Sequence, residues 1–397
     1  MKVSVSPLFQ VCFLLTLFSC KTPYTPAVIA SNPGYLVVEG VINSGNDSTT
    51  LKLSRTVSLD STQINSPESG ARVIVESSKN DQYNLAETIA GTYVIVNLNL
   101  PKDRNYRLHI FTSSNKEYIS DYVPNLITPP IDSVYSVPLN AGVQFYVSTH
   151  DNTDNARYYR WDYNETWTYL IDPKESSSWV YENGQILPRT MSNLISNVCY
   201  VYGGPPSNSI FVAGSHLAQG AISKAPLGYV AASTGKLAQV YSLSVKQYAL
   251  TPGAYTFWNL LKTNTEQLGT IFDAQPSSSV SNIHAVSNPG ELVIGYFSVS
   301  TVATKRIFLS GRTLPLAVET PPVYPLECPS KYISVQPDST FQYRLQQTFG
   351  SGDTVIIGAV TVYHTTIILG YTYAPLNCLD CQTSGGTNIA PPYWPPL

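Results

Sequence analysis

Short segments in which apolar and polar residues alternate recur through the first third of the chain, and they restrict the fold most. The clearest are Thr50 to Ser54, Ala71 to Glu76 and Tyr106 to Phe111. A period of two places successive side chains on opposite faces, so each segment predicts a half-buried β-strand. Because turn-forming residues separate the segments, the pattern predicts an immunoglobulin-like or transthyretin-like β-sandwich over residues 35–130.

Residues 131–397 are predicted to form a larger, β-rich second domain. A good strand signal runs from Tyr158 to Tyr163, where aromatic residues are concentrated. One prominent helix is predicted at about 252–268, because Thr251 can cap it and Pro252 suits the first helical position. The predicted fold class is therefore mostly β, with a sandwich followed by a larger β-rich domain that carries this helix.

The composition is low in charge and rich in tyrosine. Charged residues are 12% of the chain, the formal net charge is −3, and there are 28 tyrosines. Nucleic-acid-binding proteins usually carry a basic patch, so no nucleic acid is expected as a partner. Tyrosine suits half-buried pleated surfaces, and this composition is typical of β-rich proteins outside the cytoplasm.

Residues 1–19 have the pattern of a lipoprotein signal peptide. Lys2 precedes an apolar stretch from Leu8 to Phe18, which is too short to span a bilayer. The stretch ends at Ser19 and Cys20, and a small residue before a cysteine is what lipoprotein signal peptidases cleave. We therefore predict lipidation of Cys20, with an ordinary signal peptide as the alternative. Several acyl chains on one cysteine would anchor the chain stably on a membrane.

The residues after the cleavage point predict the rest of the organisation. Prolines and small polar residues make residues 20–34 a lipidated tether rather than part of a core. No acidic run follows the cysteine, so the tether does not decide the face of the membrane. The predicted order is signal peptide, tether, β-sandwich (35–130) and second domain (131–397), which ends in a Gly- and Pro-rich tail containing cysteines.

Six cysteines are present, and their distribution predicts disulfides. Cys12 leaves with the signal peptide and Cys20 carries lipid, which leaves Cys199, Cys328, Cys378 and Cys381. An even number outside the cytoplasm favours disulfides, although the sequence cannot choose the pairing. Free thiols and a zinc site that includes the Cys378-x-x-Cys381 motif are the alternatives, and an oxidising compartment favours disulfides over both. No metal and no other cofactor is expected.

The aromatic stretch from Tyr158 to Tyr181 is the best candidate for ligand binding. Its first part, Tyr159, Trp161 and Tyr163, falls on one strand face and is expected to be core. Exposed tryptophans and tyrosines stack on sugars or dock peptides. The candidate ligand-binding aromatics are Trp167, Tyr169, Trp179 and Tyr181, and of these Trp167 and Trp179 are expected to be exposed in a loop.

No catalytic residues are predicted, and the protein is not expected to be an enzyme. The five histidines are scattered and have no chelating spacing. His150, Asp151 and Asp154 are open to two interpretations, a cation site or a turn rich in Asp and Asn. Ser215 follows Gly214, but the second glycine of a nucleophile elbow is missing.

Several motifs, taken together, resemble a known family. They are Leu36 to Gly40, Leu53 to Thr56, Pro130 to Ser133, Tyr241 to Val245, a long stretch from Ala254 to Phe308, and an end with Cys378, Cys381 and Trp394. In combination they resemble an uncharacterised lipoprotein family of the Bacteroidota called domain of unknown function 4249. The run from Pro391 to Tyr393 departs from it, since a lysine and an acidic residue are expected near the tryptophan.

The resemblance implies an outer-membrane lipoprotein encoded beside TonB-dependent receptors. No catalytic or ligand residues are established for such proteins, so it assigns none here. The leading hypothesis is a non-enzymatic accessory protein that captures a peptide, glycan or small nutrient and hands it to a TonB-dependent transporter. The alternative is a structural or adhesive cell-surface β-sandwich protein. In either case the expected location is the outer membrane, lipid-anchored on its periplasmic or cell-surface face.

Overall fold

The computed structural model describes ten stretches of the chain, residues 34–57, 66–139, 141–170, 179–189, 198–206, 209–266, 281–315, 329–335, 339–378 and 380–395. The predicted signal peptide, the Cys20 anchor and Cys328 lie outside these residues. Within them the protein is mostly β, which confirms the predicted fold class. No helix in the described ranges is long and apolar enough to cross a membrane.

Ten strands precede residue 130: β1 Leu36–Glu39, β2 Ile42–Asn43, β3 Thr49–Arg55, β4 Ser66–Pro67, β5 Arg72–Ser77, β6 Gln82–Ile89, β7 Thr92–Ile95, β8 Asn105–Phe111, β9 Glu117–Ser120 and β10 Val123–Leu126. Nine follow up to residue 250: β11 Ile131–Leu139, β12 Gly142–Thr149, β13 Tyr158–Leu170, β14 Trp179–Glu182, β15 Gln185–Pro188, β16 Val198–Gly203, β17 Phe211–Gly214, β18 Ile222–Ala231 and β19 Val240–Leu250.

Helix α1, Pro252–Glu266, comes next. The remaining elements are β20 Ile283–Ala285, β21 Val293–Gly295, β22 Val299–Ser300, β23 Val302–Ser310, β24 Lys331–Ser334, helix α2 Phe341–Phe349, β25 Thr354–Thr361 and β26 Ile368–Pro375. They build three modules, each with its own hydrophobic core.

The first module contains β1 to β10 in one twisted sheet system. Its main path runs β2-β22-β10-β8-β5-β6-β7-β3-β1-β21. In β8 the alternate residues Tyr106, Leu108 and Ile110 are fully buried, as the period of two predicts. This alternation is what brings the strand faces together around a continuous apolar core.

Residues 283–300 return to this first module. Strand β20 pairs antiparallel with β9, β21 runs parallel to β1, and β22 runs parallel to both β2 and β10. Val293, Phe297 and Val299 are buried in the same core as Leu36. The domain boundary predicted at residue 130 places this stretch in the second domain. The hydrogen bonds of β20, β21 and β22 instead assign it to the first module.

The second module packs two sheets face to face. Strands β11-β12-β18 form one, and β16-β13-β19-β23 form the other, with β17 also paired to β13. Phe145 from the first sheet stacks on Tyr241 from the second, with ring centres 5.5 Å apart. Tyr159, Trp161 and Tyr163 lie in this core, and the expectation for that strand face is therefore correct.

The third module combines a late sheet with an early hairpin. Strands β24-β26-β25 form the sheet, and helix α2 packs on it through Leu345 and Phe349. The β14–β15 hairpin, which lies far earlier in the chain, contacts the same core through Trp179 and Tyr181. This arrangement separates the two halves of the aromatic stretch into different modules.

Helix α1 begins where the sequence predicts. The Thr251 hydroxyl oxygen accepts a hydrogen bond from the Ala254 backbone N–H at 3.2 Å, which caps the first turn. Ala254 and Phe257 are the residues that the helix buries. Trp258 is half-buried, and the Arg160 guanidinium lies over its ring at 4.0 Å. The helix thereby covers one end of the outer face of the second module.

Candidate functional site

Trp167 and Tyr169 do not lie in a loop. Strand β13 extends through both, with Trp167 opposite Val201 on one side and Tyr241 on the other. The Trp167 ring is half-buried, and the Lys236 ammonium lies 4.5 Å from its centre. The loop expectation was wrong for Trp167, because a thirteen-residue strand continues where the sequence suggested that it ends. It was also wrong for Trp179, which lies in strand β14.

A buried ionic cluster explains the surroundings of Trp167. The side chain of Glu165 is only 3% exposed, and its carboxylate accepts hydrogen bonds from Lys236 and, at 2.7 Å, from the Tyr241 hydroxyl. Burial and the neighbouring carboxylate raise the pKa of Tyr241. A buried carboxylate needs such partners, so these groups hold the end of the sheet together.

Trp179 and Tyr181 line a cavity of about 310 Å³ in the third module. The Trp179 ring packs edge-on against Tyr371, with centres 5.4 Å apart. The Tyr181 ring lies 5.8 Å from Phe349, and its hydroxyl donates to the Gln346 side-chain oxygen at 2.9 Å. The structure therefore brings together two of the four predicted aromatics and places them at the wall of a cavity.

Two charged side chains line the same cavity. The Arg189 Nη2 donates to the Trp179 backbone oxygen at 3.0 Å, and burial lowers the pKa of this guanidinium. Asp380 also borders the space, and its Oδ1 accepts from the Gln382 backbone N–H at 2.9 Å. Aromatic walls with a few fixed polar groups are typical of sites for small molecules.

A larger cavity of about 800 Å³ lies beside the connection between the first and second modules. Its walls come from residues 125–130, which lead out of β10, and from the loop 150–156 after β12. The connection is doubled, because the Thr301 N–H donates to the Leu126 oxygen at 3.0 Å and the Thr128 N–H donates to Thr301 Oγ1 at 2.9 Å. Two residues of its wall, His150 and Asp151, belong to the segment that the sequence offered as a cation site or a turn, but no local pattern predicts the cavity itself.

The loop that borders this cavity is held by Asp151. Its carboxylate accepts hydrogen bonds from the Thr153 N–H and hydroxyl and from the Asn155 and Ala156 N–H groups. Burial raises the pKa of Asp151, but these hydrogen bonds outweigh it and the pKa lies below its ordinary value. Of the two interpretations of this segment, the structure shows the Asx-rich turn, and the described residues contain no metal-ligand cluster.

His150 sits at the edge of the same cavity. Its Nδ1 lies 2.8 Å from the Asp132 carboxylate, and this hydrogen bond raises the pKa of the imidazole. The other ring nitrogen lies 3.0 Å from the Asn152 side-chain oxygen. Both histidine nitrogens are therefore engaged with neighbouring side chains.

One disulfide joins the second module to the end of the chain. Cys199 on β16 is bonded to Cys381, with Cα atoms 5.7 Å apart. The backbone of Tyr200 then pairs with Thr387, and its ring packs edge-on against Trp394 at 5.2 Å. Of the other two predicted cysteines, Cys378 lies in a short 3-10 helix.

The last residues lie against the outer face of the second module. The Arg306 guanidinium lies 3.5 Å from the centre of the Tyr393 ring, and the Tyr393 hydroxyl is 3.0 Å from Thr166 Oγ1. Tyr393 belongs to the segment that departs from the family pattern. In this chain the tyrosine takes part in fixing the tail to the sheet.

The protein is therefore mostly β and built of three modules, with one cavity in the third module and a larger one beside the connection between the first two. Its sequence matches the family model described as Domain of unknown function (DUF4249) over residues 21–306. The chain belongs to that family.

Comparison with other proteins adds little. No curated protein matches the sequence. A structure of manganese lipoxygenase of Gaeumannomyces graminis with part of zonadhesin of Komagataella pastoris is 10% identical and covers 55% of this chain and 90% of its own, with a TM-score of 0.14. A protein described as carbohydrate binding, from Bacteroides uniformis ATCC 8492, is 10% identical and covers 55% and 91%, with a TM-score of 0.13. These TM-scores are too low to support a shared fold or function.

Proposed function

We propose that this protein is a non-enzymatic lipoprotein of the outer membrane that captures a ligand and hands it to a TonB-dependent transporter. The cavity walled by Trp179 and Tyr181 carries this proposal, because two of the four aromatic side chains predicted to contact a ligand line it. The lipidation signal at Cys20 supports the anchor. The transporter as partner and the outer membrane as location rest on the resemblance to the family.

The cavity suggests how a ligand would be held. Trp179 and Tyr181 offer ring surface for a flat apolar face, such as that of a sugar or an aromatic peptide side chain. Arg189 would donate hydrogen bonds to a carboxylate or hydroxyl group of the ligand. A peptide, glycan or small nutrient that has a flat apolar face and a carboxylate or hydroxyl group beside it suits a cavity of about 310 Å³.

Calorimetric titration with short peptides and oligosaccharides tests the ligand half of the proposal. We expect Trp179→Ala to weaken binding at least about tenfold, because aromatic anchors dominate binding sites. Tyr332→Ala is the matched control, since Tyr332 lies in the same module, is 52% exposed and does not line the cavity. If both variants bind as the unmodified protein does, the ligand does not occupy this cavity.

A pull-down from mildly solubilised outer membrane tests the partner half. The tagged protein is expected to bring down a TonB-dependent transporter, and absence of one would remove the partner from the proposal. Mass spectrometry of the N-terminal peptide tests the anchor separately. Cys20→Ala should abolish acylation, and an unacylated Cys20 in the unmodified protein would refute the anchor.

The cavity between the first and second modules is a second candidate position for the ligand. Asp132 and His150 border it, and their side chains are 39% and 38% exposed. A ligand with an N–H or O–H group would suit such a site. Ile127→Arg would obstruct this cavity, so loss of binding in Ile127→Arg but not in Trp179→Ala would assign the ligand to it.

A further inference from the structure

The β25–β26 hairpin in the third module carries an unusually apolar exposed end. Tyr363 is 85% exposed and Ile367 is 61% exposed, and both lie at the turn that joins the strands. Three further apolar residues of the hairpin are also exposed, namely Val360, Val362 and Leu369. Contiguous exposed apolar residues at one site mark an interaction surface rather than ordinary surface variation.

The surface has no charge to keep it in water. From Thr354 to Leu379 the sequence contains no aspartate, glutamate, lysine or arginine. Exposed hairpins of soluble proteins usually carry charged residues that keep them from associating. Apart from the exposed His364 and the threonines beside it, the hairpin end therefore suits an apolar environment and offers little charge for a salt bridge to a protein partner.

The turn satisfies part of its own backbone. The Val362 N–H donates to the Ile367 oxygen at 2.9 Å, and the Thr365 N–H donates to the Val362 oxygen at 2.9 Å. The Ile367 N–H donates to Thr365 Oγ1 at 3.2 Å. Backbone groups that lack partners are costly away from water, so these bonds lower the cost of shallow entry into lipid.

We propose that this hairpin end, residues 360–369, inserts shallowly into the bilayer to which the protein is anchored. Tyrosine is enriched at the boundary between lipid and water, and Ile367 and Val362 would lie deeper among the acyl chains. The insertion would give the body of the protein a second attachment and a fixed orientation on the membrane.

The length of the tether supports lipid as the occupant. This step rests on the proposed lipidation of Cys20. The tether of residues 20–34 reaches at most about 50 Å when extended. An anchored body would therefore stay within about this distance of the bilayer, which raises the local concentration of lipid around a surface that also binds lipid by itself.

Vesicle flotation of the chain that begins at Lys21 tests the insertion without the anchor. This protein keeps every described residue and has no acyl group, and the vesicles contain phosphatidylethanolamine and phosphatidylglycerol. We expect this chain, without substitutions, to float with the vesicles. The double variant Tyr363→Ser/Ile367→Ser should partition into them about tenfold less, because it has lost two apolar side chains that lipid would bury.

The matched control is Tyr343→Ser/Ile89→Ser, which removes a tyrosine on α2 and an isoleucine on β6 that are 67% and 71% exposed. It should float like the unmodified protein, and all forms should share one unfolding midpoint.

Equal flotation of both double variants, or no flotation of the unmodified protein, overturns the insertion. Loss of self-association or of transporter binding in the hairpin variant, without loss of flotation, would assign the surface to a protein partner instead. Acylation of Cys20 is measured separately, so failure of the anchor and failure of the insertion are distinguishable.

Discussion

Replacing Gln247 by leucine tests how the second module is joined to the first. Gln247 is fully buried, and its side chain makes three hydrogen bonds. Its Oε1 accepts from the Trp161 indole N–H at 2.8 Å, and its Nε2 donates to the Pro129 oxygen and to Thr149 Oγ1, each at 2.9 Å. Pro129 lies in the connection between the modules, so this one side chain ties the core of the second module to that connection.

The expected loss follows from the groups left without partners. Gln247→Leu would leave the buried Trp161 N–H and the Pro129 carbonyl unsatisfied, whereas Thr149 keeps its hydrogen bond to the Pro130 oxygen. Each unsatisfied buried group costs about 1–3 kcal/mol. The free energy of unfolding should therefore fall by about 2–5 kcal/mol, with the larger apolar surface of leucine recovering part of it.

Urea unfolding followed by tryptophan fluorescence measures this change, with Gln185→Leu as the control at an exposed position of β15. The double variant Gln247→Leu/Trp161→Phe also removes the orphaned indole N–H. It should be less destabilised than the sum of the single variants, with a coupling energy of about 1 kcal/mol or more. A loss no larger than that of the control, or strict additivity, would refute the reasoning.

Three further outcomes are expected. The double variant Cys199→Ser/Cys381→Ser should lower the free energy of unfolding by up to about 5 kcal/mol, because the bond closes a loop of 182 residues, and an equal urea midpoint with and without the bond would contradict this. Asp151 has a lowered pKa when folded, so its contribution to stability is present above its ordinary value of 3.8 and is lost as pH falls below it. Asp151→Asn should therefore flatten the dependence of the urea midpoint on pH below about pH 4, and an unchanged slope would argue against it. Gly295→Ala should lower the free energy of unfolding by about 2 kcal/mol or more, because φ at this residue is +140° and the new methyl carbon would lie 2.3 Å from the Val38 oxygen. Stability equal to that of the unmodified protein would show that β21 does not pair as described.

Local patterns in the sequence were sufficient to predict which strand faces are buried and where α1 begins. Tyr159, Trp161 and Tyr163 were expected in the core because a period of two puts them on one face, and they are 0%, 1% and 5% exposed. Thr251 and Pro252 marked the start of the helix, because capping depends only on neighbouring backbone groups. In both cases the information lies within a few residues of the element it determines.

The candidate site was only half predictable. The sequence identified Trp179 and Tyr181 as candidate binding aromatics, but residues between Phe349 and Asp380, far later in the chain, decide that they border a cavity. Trp167 belongs to the same aromatic stretch and has the same chemistry. It lies in a sheet of the second module because β16 and β19 pair with both sides of β13, which no local pattern records.

By itself, the sequence determined that the chain is mostly β, which residues face inward in its clearest strands, where its helix begins, and that its early cysteine fits a lipidation signal. Tertiary structure alone decided that residues 283–300 return to the first module, that Cys199 joins Cys381, and that the charge-free hairpin end is exposed. The physical reason is that alternation and capping are local, whereas parallel pairing, disulfide choice and exposure depend on segments far apart in the chain.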